Sequence, residues 1–149
     1  MVPGESSLVF HPSIGRVPRR ALREFLEELS SRVAKGRAVG CLIARDQDLR
    51  ALNRRFRGKN SATDVLSFPA SADEFLGDIA ISFERAQAQA RELSHPVEDE
   101  LRILMLHGVL HLAGYDHESD RGEMARAERR WRRKLGLPLA LIERAGGNA

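Results

Sequence analysis

From Leu101 to Ala113 the chain is apolar on nearly every side, interrupted by charge or imidazole only at Arg102, His107 and His111. A helix without a polar face has to lie inside a domain. This stretch is also too short to cross a bilayer. The rest of a 149-residue chain must therefore be layered around it, and that length suits one domain, residues 1–149. His95-Pro96 opens the helix, and Glu98, Asp99 and Glu100 place negative charge on its first turn, where the helix dipole favours it. His95 lies about three turns before the other histidines and reads as a cap or surface residue rather than a ligand. Gly114, just past the apolar run, is placed to end the helix in a left-handed conformation.

The elements around this helix follow from spacing. Ser7 to His11 predicts a first strand. Pro18 then suits the first position of a helix, and Leu22, Phe25, Leu26, Leu29 and Val33 form its apolar stripe before Gly36 closes it. Residues 38–44 are almost continuously apolar, which predicts a central strand covered on both faces. A helix from Asp46 or Gln47 to near Gly58 would turn Leu49, Leu52 and Phe56 inward. After a polar loop at 57–63, strands Asp64–Phe68 and Leu76–Ser82 are expected to pair as a hairpin. A helix over about 83–93 follows, with Glu84 in its first turn. A last helix, 121–134, is announced by a capping box of Asp120 with Glu123. The mixture reads as α+β: a small mixed sheet of about four strands, about five helices, and the histidine-bearing helix in the middle.

Hydrophobic content of 42% against 30% charged residues excludes a disordered chain. Cys41 is the sole cysteine and sits in the 38–44 run, so it predicts a buried packing residue and no disulfide-linked partner. A reducing, cytoplasmic setting fits, and Pro3, Gly4 and Glu5 stand where a secretory signal would need basic and then apolar residues. No membrane association is expected.

Three of the five histidines fall between positions 107 and 117. His107 and His111 share a helix face, separated by roughly one 5.4 Å turn. If the chain doubles back after Gly114, His117 joins them. Three imidazoles around one ion leave a tetrahedral fourth position open, the ligand count of a catalytic zinc site with one ion and one water. The plainer alternative is that these are core histidines without a metal. Imidazole also suits nickel and copper. The spacing His107, His111, Gly114, His117 is that of the zinc-peptidase motif H-E-x-x-H-x-x-G-x-x-H. The motif's glutamate, its general base, is here Gly108. Peptide hydrolysis would lack its base, whereas phosphodiester hydrolysis asks for a metal and a cation near the phosphate. Arg57 and Lys59 could form that clamp, or be a solvated turn. Asp116 could orient a ligand imidazole or manage a proton, or be a turn residue.

Net charge is uneven: +7 over residues 1–60, −9 over 61–120 and +5 over 121–149. Twenty-one arginines face only three lysines. Arginine's planar fork suits phosphate and so a nucleic-acid partner, although a GC-rich coding bias would give the same excess. The acidic middle block would repel phosphate unless metal and arginine offset it.

The stretch His107–His117, H-G-V-L-H-L-A-G-Y-D-H, resembles the H-G-x-L-H-L-x-G-Y-D-H signature of the YbeY family of bacterial endoribonucleases. Phe56-Arg57-Gly58-Lys59, Thr63 to Pro69 and Leu76-Gly77-Asp78-Ile79 resemble the family's other blocks in the same order, so the likeness runs from about residue 40 to 135. The resemblance implies a metal-dependent, single-strand endoribonuclease acting in small-subunit ribosomal RNA maturation and ribosome quality control. It also implies zinc ligands at His107, His111 and His117 and a catalytic arginine at Arg57. On that footing Lys59, Arg126, Arg129, Arg130 and Arg133 become candidate RNA contacts, with ribosomal RNA and the small ribosomal subunit or its proteins as partners. Two alternatives stay open: a non-enzymatic ribosome assembly factor with a structural zinc, and a zinc peptidase.

Overall fold

The computed structural model describes residues 5–70, 72–115 and 121–139. Among the described residues four strands and five helices follow in the order β1 (Ser7–Phe10), α1 (Arg19–Arg32), β2 (Ala38–Ala44), α2 (Asp46–Arg57), β3 (Val65–Pro69), β4 (Phe75–Ser82), α3 (Phe83–Glu92), α4 (Val97–Leu112) and α5 (Glu123–Leu135). The sheet order is β1-β2-β4-β3. β1 and β4 both run parallel to β2, while β3 returns antiparallel along β4 from Val65↔Ile81 to Pro69↔Gly77. The sheet is therefore mixed, and the expected hairpin is its antiparallel edge.

Strand β2 lies in the interior of the sheet because every second residue has somewhere to go. Val39, Cys41 and Ile43 enter the main core with Leu22, Leu26 and Leu29 of α1, Ile79 and Ile81 of β4, and the body of α4. Ala44 joins a smaller cluster with Leu49, Leu66 and Ala80, against which Leu42, Leu52 and Phe68 pack. Burial raises the Cys41 thiol pKa, with Asp78 adding to the effect, so this thiol stays protonated and packs as an apolar group.

Helix α4 is the hub, packing against α1, α3, α5, β3 and β4. Ten of its sixteen residues are buried, Leu101, Met105, Leu106, Val109 and Leu110 completely. It ends as its sequence predicts. Gly114 has φ +108°, its N–H donates to the His111 carbonyl, and the Tyr115 N–H returns to the Leu110 carbonyl at 3.1 Å. This is the paired hydrogen-bond pattern of a Schellman end.

Four local expectations need correction. Pro18 stands one position earlier than expected, at the N-cap of α1, where its missing N–H costs nothing. His95 neither caps α4, whose N-cap is Pro96, nor lies on the surface. Its side chain is only 11% exposed, with Nε2 3.3 Å from the carboxylate of fully buried Glu100. The N-cap of α5 is Gly122, in the left-handed region, while Asp120 of the expected capping box lies outside the described residues. Phe56 does not turn inward: it is 60% exposed, because α2 covers only part of the outer face of the sheet.

Candidate active site

His107 and His111 occupy successive turns of α4, and both are partly buried. Their ring centroids lie 4.8 Å apart with the planes at 66°. The i, i+4 spacing stacks the two imidazoles on one face, as expected. The next residue after His107, Gly108, points the other way. A Cβ built there would lie 2.8 Å from Ile79 Cγ2 and 3.2 Å from Cδ1, closer than side chains approach. The α4 backbone therefore sits directly on β4 at this point, and the position reserved for glutamate in zinc peptidases faces the core. We expect Gly108→Glu to cost about 3 kcal/mol or more, through overpacking and an unpaired buried charge. Chemical denaturation measures this, and the variant should gain no cleavage of casein.

Helix α5 supplies what spacing alone did not reveal. His107 Nδ1 is hydrogen-bonded to Glu128 Oε1. The other Glu128 oxygen accepts from Arg132 Nη2 at 2.9 Å. Both α5 residues are buried, at 1% and 0% exposure. With Nδ1–H donated to a carboxylate, the His107 lone pair resides on Nε2, the arrangement that second-layer carboxylates impose on metal-binding histidines. Glu128 is thus a carboxylate found on a candidate ligand, while Asp116 lies outside the described residues. The sequence did hold a signal. Met124, Ala127 and Glu128, with Arg132 one turn on, form the buried stripe of α5, and a Glu/Arg pair four apart on an otherwise apolar stripe is out of place on a solvated helix.

Arg57 ends α2, capped by Gly58 in the left-handed conformation. Asn53 is buried and donates to the Ser61 carbonyl at 3.0 Å, holding the 57–63 loop to its helix. The Arg57 side chain crosses to β3, where Nη2 donates to the Ser67 carbonyl at 2.6 Å. Ser67 Oγ in turn donates to the Gly108 carbonyl at 3.3 Å. Two hydrogen bonds thus connect Arg57 to the residue after His107. Lys59, Arg126, Arg129, Arg130 and Arg133 are all exposed. Arg132 of the same basic helix is not, because it serves Glu128.

His117 lies outside the described residues, and among those described no group of three or more His, Cys, Asp or Glu side chains is gathered in a metal-binding cluster. The donor chemistry nevertheless fits. Two imidazoles on one helix face, one of them fixed in its tautomer by a buried carboxylate, are what a zinc ion asks of a protein.

The family profile described as Endoribonuclease YbeY matches residues 11–136. The chain belongs to the YbeY family. Among YbeY relatives, the Endoribonuclease YbeY of Solibacter usitatus is 56% identical over 142 residues, covering 95% of this chain and 96% of that protein. That of Koribacter versatilis is 49% identical, covering 92% and 90%. That of Helicobacter pylori strain Shi470 is 43% identical, covering 80% and 87%. A Thermotoga maritima protein solved in solution is similar in fold, with a TM-score of 0.59 and 30% identity over 84% of this chain and 85% of that one. The YbeY match begins well before residue 40, so it takes in helix α1 and the strand-to-helix entry that carries no short motif of its own.

Proposed function

We propose that this protein is a zinc-dependent, single-strand endoribonuclease acting in the maturation of small-subunit ribosomal RNA in the cytoplasm. The observation that carries the reading is the placement of Arg57, tied through Ser67 to the α4 turn that bears His107 and His111. Membership of the YbeY family supports the substrate class. No helix among the described residues is long and apolar enough to cross a membrane.

His107 and His111, with His117, are the residues that would hold the ion. A bound zinc supplies Lewis acidity toward a phosphoryl oxygen and makes water a stronger acid. Glu128 holds His107 so that it presents Nε2, and Arg132 holds Glu128 in place. Arg57 brings a permanent positive charge with several N–H donors, suited to the negative charge that builds on phosphoryl oxygens during hydrolysis. The exposed cations Lys59, Arg126, Arg129, Arg130 and Arg133 bind the strand through its phosphates, and the small ribosomal subunit or its proteins bring the substrate.

Arg57→Ala tests the reading. The variant should fold and keep its metal, yet cleave a single-stranded RNA oligomer at least about 100-fold more slowly, the scale lost when one transition-state donor is removed. Wild-type affinity for the same oligomer should fall steeply with added salt. Normal cleavage by the variant, or a flat salt response, would remove Arg57 or electrostatic binding from the account. A metal-loaded wild type that cleaves no RNA would favour the non-enzymatic assembly factor.

A further inference from the structure

Phe56 is the most exposed of the large apolar side chains among the described residues, at 60%. Its place is well defined all the same. Its ring meets Phe68 edge to face, with centroids 5.7 Å apart and planes at 68°. The Arg55 guanidinium lies 5.3 Å from its centroid. Phe68, on β3, is itself only half-buried, and the Arg57 guanidinium lies 5.8 Å from its centroid. Arg54, Arg55, Arg57 and Lys59, all exposed, surround Phe56 along the chain. The neighbouring Arg57 is the residue joined through Ser67 to the His107 turn.

A lone exposed apolar side chain needs no explanation, but Phe56 shares one groove with exposed Val9 and with Leu42, Leu52 and Phe68, and a contiguous apolar patch marks a binding surface. The groove beside the ring is lined by Leu42, Leu52 and Phe68 with the carboxylate of Asp78 across it. On the α2 side Arg55 meets the ring and Arg54, Arg57 and Lys59 are exposed, with no acidic residue between positions 49 and 63. That charge selects a polyanion. A polyanion that also carries flat aromatic faces is a nucleic-acid strand, and proteins that bind single strands combine such rings with basic side chains.

We propose that Phe56 stacks on an unpaired base of the RNA and so holds the strand beside Arg57. The inference rests on the ribonuclease reading above and deepens it. A base inside a duplex has both faces occupied by its neighbours, so a stacking residue next to the reacting phosphate selects single strands without reading sequence. Phe56 is a positioning residue, since it touches no reacting atom. Phe68 fixes the tilt of its ring, and Arg55 supplies a cation close to the stacked base.

The test uses the full chain, metal-loaded, and an end-labelled single-stranded RNA oligomer, unmodified or with one abasic residue moved along it. Phe56→Ala should raise KM about 10-fold and leave kcat within about twofold, in the range found when one base-stacking ring is removed. Phe56→Trp should restore KM. Phe56→Leu, which keeps the apolar cover over Leu52 and Phe68, should not. One abasic position should raise the wild-type KM by a similar factor and have no further effect in Phe56→Ala. A flat abasic scan with wild type, or wild-type KM in Phe56→Leu, would show that the ring only covers the sheet and would overturn the stacking while leaving the ribonuclease intact. Wild type that cleaves no RNA would overturn both.

Discussion

Replacing either His107 or His111 with alanine is expected to abolish metal retention and RNA cleavage together. Both imidazoles leave the same face of α4, 4.8 Å apart, so neither can take over the other's bond. Even loss of an outer carboxylate that orients a ligand typically lowers metal affinity or activity 10–100-fold; loss of the ligand itself should exceed about 100-fold. Elemental analysis after dialysis gives the metal content, and cleavage of single-stranded RNA gives the activity. A full metal equivalent in either variant would exclude that residue from the centre. His111→Ala should affect folding little, since its ring is only partly buried. His107→Ala also removes a hydrogen-bond partner of buried Glu128 and should cost about 1–3 kcal/mol.

The largest stability loss is expected from Arg132→Met. The substitution keeps much of the volume but strands the Glu128 carboxylate inside the protein without its cationic neighbour. Breaking a buried ion pair from one side costs about 3–5 kcal/mol, which for a chain of this size lowers the melting temperature by about 6–20 °C. The double variant Glu128→Leu with Arg132→Met should recover much of that loss, because a well-packed apolar pair removes the desolvation penalty altogether. It should not recover zinc affinity, which stays about 10–100-fold down because His107 has lost the acceptor at Nδ1. Thermal unfolding and metal titration read the two effects separately. If the double variant binds metal like wild type, the carboxylate has no part in presenting His107.

Where periodicity alone decides a residue's surroundings, the sequence was readable. The stripe Leu22, Phe25, Leu26, Leu29 and Val33 is buried throughout, and the all-round apolar body of α4 has no place except the interior. Pro69 and the short polar link after it leave β3 and β4 little choice but to pair. Spacing names a face and not the neighbour that covers it, and there the reading stops. Phe56 follows Leu49 and Leu52 at helical intervals, yet α2 overhangs the edge of its small cluster and leaves the ring in water. Glu128 and Arg132 are two charges among many on a basic helix, and only the packing of α4 against α5 accounts for their burial. Distance along the chain separates His95 from the other histidines but says nothing of Glu100, which meets it from the first turns of α4. The eleven-residue histidine signature was visible from the outset because its members are close in sequence. Arg57 is named by its own short motif, but its tie through Ser67 to α4, and the meeting of Glu128 with His107, are set by the fold.

The seat of Gly108 on Ile79 has a consequence for anyone wishing to adjust this centre. With no side chain to act as a spacer, the turn that bears His107 rests at a depth fixed by the contour of a strand beneath it. Aliphatic exchanges at Ile79, invisible from the surface and harmless to solubility, would raise, lower or tip the imidazoles above. The tilt of the two rings is therefore open to adjustment from within the core.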